Sequence, residues 1–168
     1  MKNSKVTFIT EAAVIAALYA VLVLVFSFSS FGPIQFRVAE ALTILPYFTP
    51  AAIPGLTIGC LLSAILAGAG ILDIVFGSLA TLIAAVLSYK LRKYKFLVPI
   101  PPILANTIII PWVLRFAYGE AQPIPLMMLS VGAGELLAVG VFGTALLLAL
   151  SQVKHVIFRN HRVKKTMN

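Results

Sequence analysis

Apolar residues do not alternate with polar ones along this chain; they come in long blocks such as 14–26, 55–67 and 140–150, separated by short polar or Gly/Pro stretches. No strand-like alternation of period two is visible. Backbone groups inside a bilayer must be satisfied within the segment itself, so the spanning form is helical. The blocks predict helices over about 8–28, 35–47, 52–67, 72–89, 97–116 and 124–153. Ser27, Ser29, Ser30, Gly32 and Pro33 make the first turn, and Pro46, Pro50 and Pro54 mark a broken corner after the second helix. Gly68 and Gly70 turn the third helix into the fourth. Pro111 is expected to interrupt the fifth, and a loop over 118–123 carries Gly119, Glu120 and Gln122. The second helix is short for a full span, and a re-entrant pair is the alternative reading of the second and third.

Composition agrees with a membrane solvent. The 168 residues are 61% hydrophobic and 11% charged, with a mean hydropathy of +1.05, where a soluble domain carries about 25% charged residues. The length suits one integral membrane domain over 1–168. The first apolar block is long and has no small-residue cleavage site before the next span, so it is expected to remain as a helix.

The net charge of +8 is explained by its distribution. Apart from Arg37 and Arg115, the basic residues gather at Lys2 and Lys5, at Lys90, Arg92, Lys93 and Lys95, and at Lys154, Arg159, Arg162, Lys164 and Lys165. This is the positive-inside pattern, which makes a solvated cytoplasmic rim a simpler account than nucleic-acid binding. If all three clusters face the cytoplasm, even numbers of crossings separate them: four between Lys5 and Lys90, two between Lys95 and Lys154, at roughly 20 residues per span. The expected fold is an all-α, polytopic six-helix bundle with both termini cytoplasmic and a basic tail over 154–168.

Against this background three acids stand out inside apolar sequence: Glu40, Asp73 and Glu135. An ionisable side chain within a membrane is costly and marks a functional site facing a partner or a wet cavity. The topology gathers Arg37, Glu40, Asp73, Asn106, Trp112 and Glu135 toward the outer half, with Arg115, Glu120 and Gln122 at the rim. Each has a plainer reading. Arg37 and Glu40, three apart on one helical face, can neutralise each other. Asp73 suits a helix N-terminus, Asn106 suits interhelical hydrogen bonding, and Trp112 and Arg115 suit the interfacial belt. Glu135, deep and without a sequence-local cation, resists such an account. Thr10 and Glu11 read as capping at the start of the first helix. The ladder Ala12, Ala16, Ala20, with Ala13 and Ala17 beside it, lets another helix approach closely, within the bundle or from a separate membrane protein.

Several chemistries have no residues to carry them. There is no phosphate loop of the G-x-x-x-x-G-K-[ST] type and no HExxH. The single cysteine, Cys60, offers neither a disulfide nor a metal cluster. His155 and His161 both lie in the basic tail, so no base is available for serine catalysis in the membrane. The expectation is a transport subunit rather than an enzyme, with no cofactor and no metal.

The stretch IQFRVAEALTILP at 34–46 resembles the signature of the queuosine-precursor transporter family, through Gln35, Arg37, Glu40, Ala41, Leu42, Thr43, Leu45 and Pro46. The Ala12/Ala16/Ala20 ladder is similar to the helix-one coupling surface of that class. The resemblance implies a substrate-binding (S) component of an energy-coupling-factor transporter, a branch of the ABC class, in a prokaryotic cytoplasmic membrane. It would capture a 7-deazaguanine such as the aminomethyl queuosine precursor from outside. It would then dock, through Ala12, Ala16 and Ala20, on a transmembrane coupling (T) subunit driven by two cytoplasmic ATPase subunits. Glu40 and Glu135 are the expected ligand carboxylates, with Asp73 a partner for an aminomethyl cation, Arg37 or Asn106 a donor to the carbonyl, and Trp112, Phe36 or Tyr118 a stacking surface. Two other readings stay open: a stand-alone proton-coupled carrier of a small polar or cationic solute, and a membrane scaffold whose acids only balance Arg37 and Arg115.

Overall fold

The computed structural model describes residues 4–26 and 37–157, and among these the chain is helical throughout, without a strand. The first turn (Ser27, Ser29, Ser30, Gly32, Pro33), Gln35 and Phe36, Lys2, and the tail cations Arg159, Arg162, Lys164 and Lys165 lie outside the described residues. The elements are α1 (Ser4–Val25), α2 (Val38–Tyr47), α3 (Ala52–Leu66), α4 (Ile71–Lys90) and α5 (Ile100–Ala117). The last, α6, starts as Ile124–Glu135, passes through a π-helical stretch Leu136–Gly143 and resumes as Thr144–Ile157. Among the described residues, four helices are long and apolar enough to cross a membrane: α1, α4, α5 and α6.

The helix α2 is the odd element. It is a 3-10 helix of 10 residues containing Pro46, far longer than the three or four residues such geometry usually sustains. Packing explains its survival. Ala39, Glu40, Ala41, Thr43, Ile44, Leu45 and Pro46 are all buried, so neighbours on every side hold the tight winding. At ~2 Å per residue it covers about 20 Å, short of the ~30 Å hydrocarbon core. It sits as a plug in the middle of the bundle rather than as a wall.

The walls approach closely because their inward faces are small. A side-chain carbon added to Gly55 would lie 2.8 Å from the Ala12 carbonyl, and one on Gly59 would lie 2.8 Å from Tyr19 Cβ and 2.9 Å from the Ala16 carbonyl. Such small-residue contacts are what bring membrane helices together, since hydrocarbon gives no hydrophobic drive between them. The Ala12/Ala16 ladder, expected on a docking face, is therefore turned inward here, onto α3. Ala16 is 6% exposed, whereas Ala13 and Ala17 lie on the outside of α1 with Val14, Leu18 and Val21. The α4 helix likewise buries Gly77, Ser78, Ala80, Thr81, Ala84, Ala85 and Ser88. On α6, Gly143 allows approach to α2, where an added carbon would meet Ile44 Cγ2 at 3.2 Å.

Large apolar side chains cover the outside: Ile71, Phe116 and Leu129 are each more than 70% exposed. A water-facing surface rarely carries such a continuous band, whereas lipid accepts it. The core between the helices is built on Ile15, Tyr19, Ile44, Leu56, Val98, Val139 and Leu147.

Two local expectations are corrected. Pro111 does not interrupt α5, which runs on to Ala117 with Pro111 buried inside it. Thr10 and Glu11 do not cap α1, which begins at Ser4. Thr10 donates to the Val6 carbonyl, and Glu11 accepts from Thr49 Oγ1 at 2.8 Å. Thr49 in turn accepts from the Ala51 amide at 3.2 Å, so this contact ties the proline corner after α2 to α1. At the same end, Ser88 donates to the Val98 carbonyl at 2.8 Å and joins the end of α4 to the chain entering α5.

Candidate functional site

Two carboxylates meet in the interior. Glu40, from α2, is 1% exposed, and Glu135, from the last turn before the π stretch of α6, is 3% exposed. Glu40 Oε1 accepts from the Tyr19 hydroxyl at 2.6 Å, and Glu135 Oε1 accepts from Asn106 Nδ2 at 2.9 Å. The side-chain amide of Asn106 also interacts with Glu40, and the two glutamates interact electrostatically. The centre is thus assembled from four helices: α1, α2, α5 and α6.

Each glutamate keeps an oxygen in reserve. Glu40 Oε2 and Glu135 Oε2 are buried and have no hydrogen-bond partner among the described residues. Buried polar atoms are nearly always paired, so such orphans call for an explanation, most simply a bound group. A fixed carboxylate with one oxygen already anchored presents the other at a defined angle. The two together can receive several N–H donors, and a cation is favoured over an anion.

Local structure explains this arrangement. The Thr43 hydroxyl donates to the Glu40 carbonyl at 2.6 Å, pinning the turn that carries Glu40. Gly132, one turn before Glu135, admits Thr107 of α5, whose Oγ1 would lie 3.3 Å from an added carbon. That close contact brings Asn106 within reach of Glu135. A π-helical stretch beginning at the next residue is a common companion of functional sites.

A second polar group sits at the end of the bundle where α4 begins and α5 ends. Asp73 Oδ2 accepts from the Tyr118 hydroxyl at 2.8 Å, and its Oδ1 lies 3.9 Å from Arg37 Nη2. Tyr118 also accepts from the Gly70 amide at 3.4 Å. Partial burial, with the Asp73 carboxylate beside it, holds the Tyr118 phenol above its usual range. Arg37 links the two groups: it precedes α2, pairs with Asp73, and its charge is felt by Tyr19, Glu40 and Glu135. Its ion-pair partner is Asp73 rather than Glu40, because Arg37 stands just outside the helix and the face shared by residues three apart does not apply to it.

The structure therefore brings Glu40, Asn106 and Glu135 together and sets Arg37 and Asp73 beside them. It keeps Trp112 away. Trp112 is 48% exposed, stacks on Phe116 at 6.3 Å and lines an apolar groove of about 730 Å³ with Leu72, Phe76, Ile108 and Val113. Glu120 and Gln122 are exposed, and the Glu120 carbonyl accepts from Arg115 Nη1 at 2.7 Å. Tyr19 is the residue that the sequence reading missed. A tyrosine in an aliphatic helix reads as packing, although a buried phenol needs a partner and Glu40 was available to supply it. No group of three or more His, Cys, Asp or Glu side chains among the described residues is placed to hold a metal ion.

Comparison with known proteins adds an independent line. The family model described as "QueT transporter" matches residues 9–152, which includes every residue of the acid centre. A protein of Lactococcus lactis subsp. cremoris (strain MG1363) named "Queuosine precursor transporter QueT" is 41% identical over 85 residues. That stretch is 49% of this chain and 50% of the relative, so the chain spans about half the length of the curated relative it matches. No solved structure matches. With the family model covering most of the chain, from α1 into the last helix, this protein belongs to the QueT transporter family.

Proposed function

We propose that this protein is the substrate-capturing (S) component of an energy-coupling-factor importer, and that it binds a queuosine precursor of the 7-deazaguanine class. The observation that carries the reading is the pair of buried carboxylates, each with one oxygen anchored and one free. A guanine-type edge presents a ring N–H and an exocyclic amine side by side, which one carboxylate accepts as a bidentate pair. Glu40 and Glu135 are the two candidates for that edge. The other carboxylate, or Asp73, pairs with an aminomethyl ammonium, and Asn106 or Arg37 donates to the carbonyl. Trp112 has no part in this pocket, because it faces the α4–α5 groove. The family membership and the name of the Lactococcus relative support the substrate class.

In this reading the protein is a six-helix unit of a prokaryotic cytoplasmic membrane with both termini inside, α2 and α3 together completing the bundle. The acid centre opens outward at the Arg37–Asp73 end. The coupling subunit, driven by two cytoplasmic ATPases, docks on the outward face of α1, where Ala13 and Ala17 leave a shallow strip between Val14, Leu18 and Val21.

The test is calorimetric titration of the purified protein, in detergent and without partners, with the aminomethyl deazaguanine, using guanine as control. Saturable binding that is selective over guanine is expected. Absence of binding by any deazaguanine would reject the substrate class and return weight to a proton-coupled carrier or a scaffold.

A further inference from the structure

We infer that the acid centre exchanges a proton for its ligand's positive charge, so that it captures a cationic deazaguanine with release of a proton and takes a neutral one without. This rests on the reading that the site binds a 7-deazaguanine. It goes further by assigning the charge state the site demands and the ion that leaves when the ligand enters.

The inference follows from how the charges are distributed. The titratable and charged groups in the centre and in the polar group beside it, among the described residues, are Tyr19 on α1, Arg37 and Glu40 at α2, Cys60 on α3, Asp73 on α4, Tyr118 at the end of α5 and Glu135 on α6. Three of these are carboxyls and one is a guanidinium. Arg37 is held against Asp73, and Asp73 is further occupied by Tyr118. Glu40 and Glu135 are left beside the Asn106 amide, with the Tyr19 phenol bonded to Glu40, and neither the phenol nor the amide carries a charge.

Two carboxyls buried together around one amide, without a cation hydrogen-bonded to either, do not both ionise. The empty pair therefore keeps a proton, shared between the two sites and belonging to neither alone. A cation with several N–H donors can fill the positions facing both free oxygens and replace the proton's charge, and the proton leaves to solvent. A neutral deazaguanine, such as the nitrile form, supplies donors without the charge, so the proton stays. By linkage, affinity for the cation then rises with pH while affinity for the neutral analogue does not.

The experiment is titration of the full-length protein in detergent with the aminomethyl and the nitrile deazaguanines, in buffers of different ionisation enthalpy and at several pH values. The expected result is release of about one proton for the aminomethyl form, with affinity rising roughly tenfold per pH unit across the window in which the pair holds its proton. The nitrile form is expected to show neither effect. In Glu135→Gln the proton count for the cation should fall toward zero. Cation binding without proton release in the unaltered protein, or equal pH dependence for both ligands, overturns the inference and leaves the deazaguanine reading standing. No binding by either ligand rejects that reading, and the inference with it.

Discussion

The hydroxyl of Tyr19 and the carboxylate of Glu40, 21 residues apart in sequence and on different helices, are joined at 2.6 Å. Tyr19 comes from an α-helix in the wall and Glu40 from the 3-10 plug, so this bond fixes the plug against the wall at the acid centre. A hydrogen bond to a charged group contributes about 1.5–3 kcal/mol. Tyr19→Phe is accordingly expected to weaken ligand affinity by roughly tenfold or more, measured by titration in detergent. Unaltered affinity would remove Tyr19 from the site.

Glu40→Gln should abolish deazaguanine binding. The amide turns one acceptor into a donor where the ligand presents donors, and such mismatches in a buried site are severe. Size-exclusion profile and helical circular dichroism should be unchanged. A variant that binds normally would place the ligand elsewhere.

The contact between α1 and α3 predicts a contrast between two glycines. Gly59→Ala places a carbon 2.8 Å from Tyr19 Cβ and 2.9 Å from a backbone carbonyl, which cannot move cheaply. A loss of about 1–3 kcal/mol is expected, as for other overpacked positions. Gly140→Ala meets nothing nearer than 3.9 Å and should be neutral or slightly stabilising. Thermal melts of both variants in one detergent would decide the matter. Equal melting temperatures would contradict the packing described.

On α1, the inside and the outside should respond differently. Ala17→Trp, on the exposed face, is expected to block uptake in cells while the isolated subunit keeps its ligand affinity. Ala16→Trp, on the face turned toward α3, should instead unfold the protein or abolish binding. If Ala17→Trp imports normally, the docking surface lies on another helix.

Trp112→Ala should leave ligand affinity within about twofold, because a half-exposed residue outside the acid centre contributes within about 0.5 kcal/mol. A large loss would mean that the ligand reaches the α4–α5 groove.

The helical segments and the three intramembrane acids were legible in the sequence because both signals are compositional: long apolar blocks and charges that hydrocarbon would reject. Which residues meet was less legible. Asn106 and Trp112 are six residues apart, about 240° around a helix, so their divergence could have been read from spacing. Pairing Arg37 with Glu40 assumed a helix that starts only at Val38. Tyr19 was hidden because aromatic residues within membrane helices usually serve packing. The 3-10 winding of α2 and the π stretch in α6 had no sequence signal. Hydrogen-bond register in such segments is decided by the neighbours pressing on them, and those neighbours come from distant parts of the chain.

The π stretch at Leu136–Gly143 also divides α6 into two phases. Wider turns hold more residues than α-helical ones, so the side chains before and after the stretch do not follow one continuous angular sequence. Glu135 can face the acid centre while Leu147, fully buried in the core, keeps its own bearing. If the same residues wound as an ordinary α-helix, at about 100° each, the half after the stretch would be carried round the axis relative to the half before it. Glu135 and Leu147 could not then both keep their buried bearings, so the wide winding of this stretch, more than the identity of its aliphatic side chains, is the quantity the protein has to preserve.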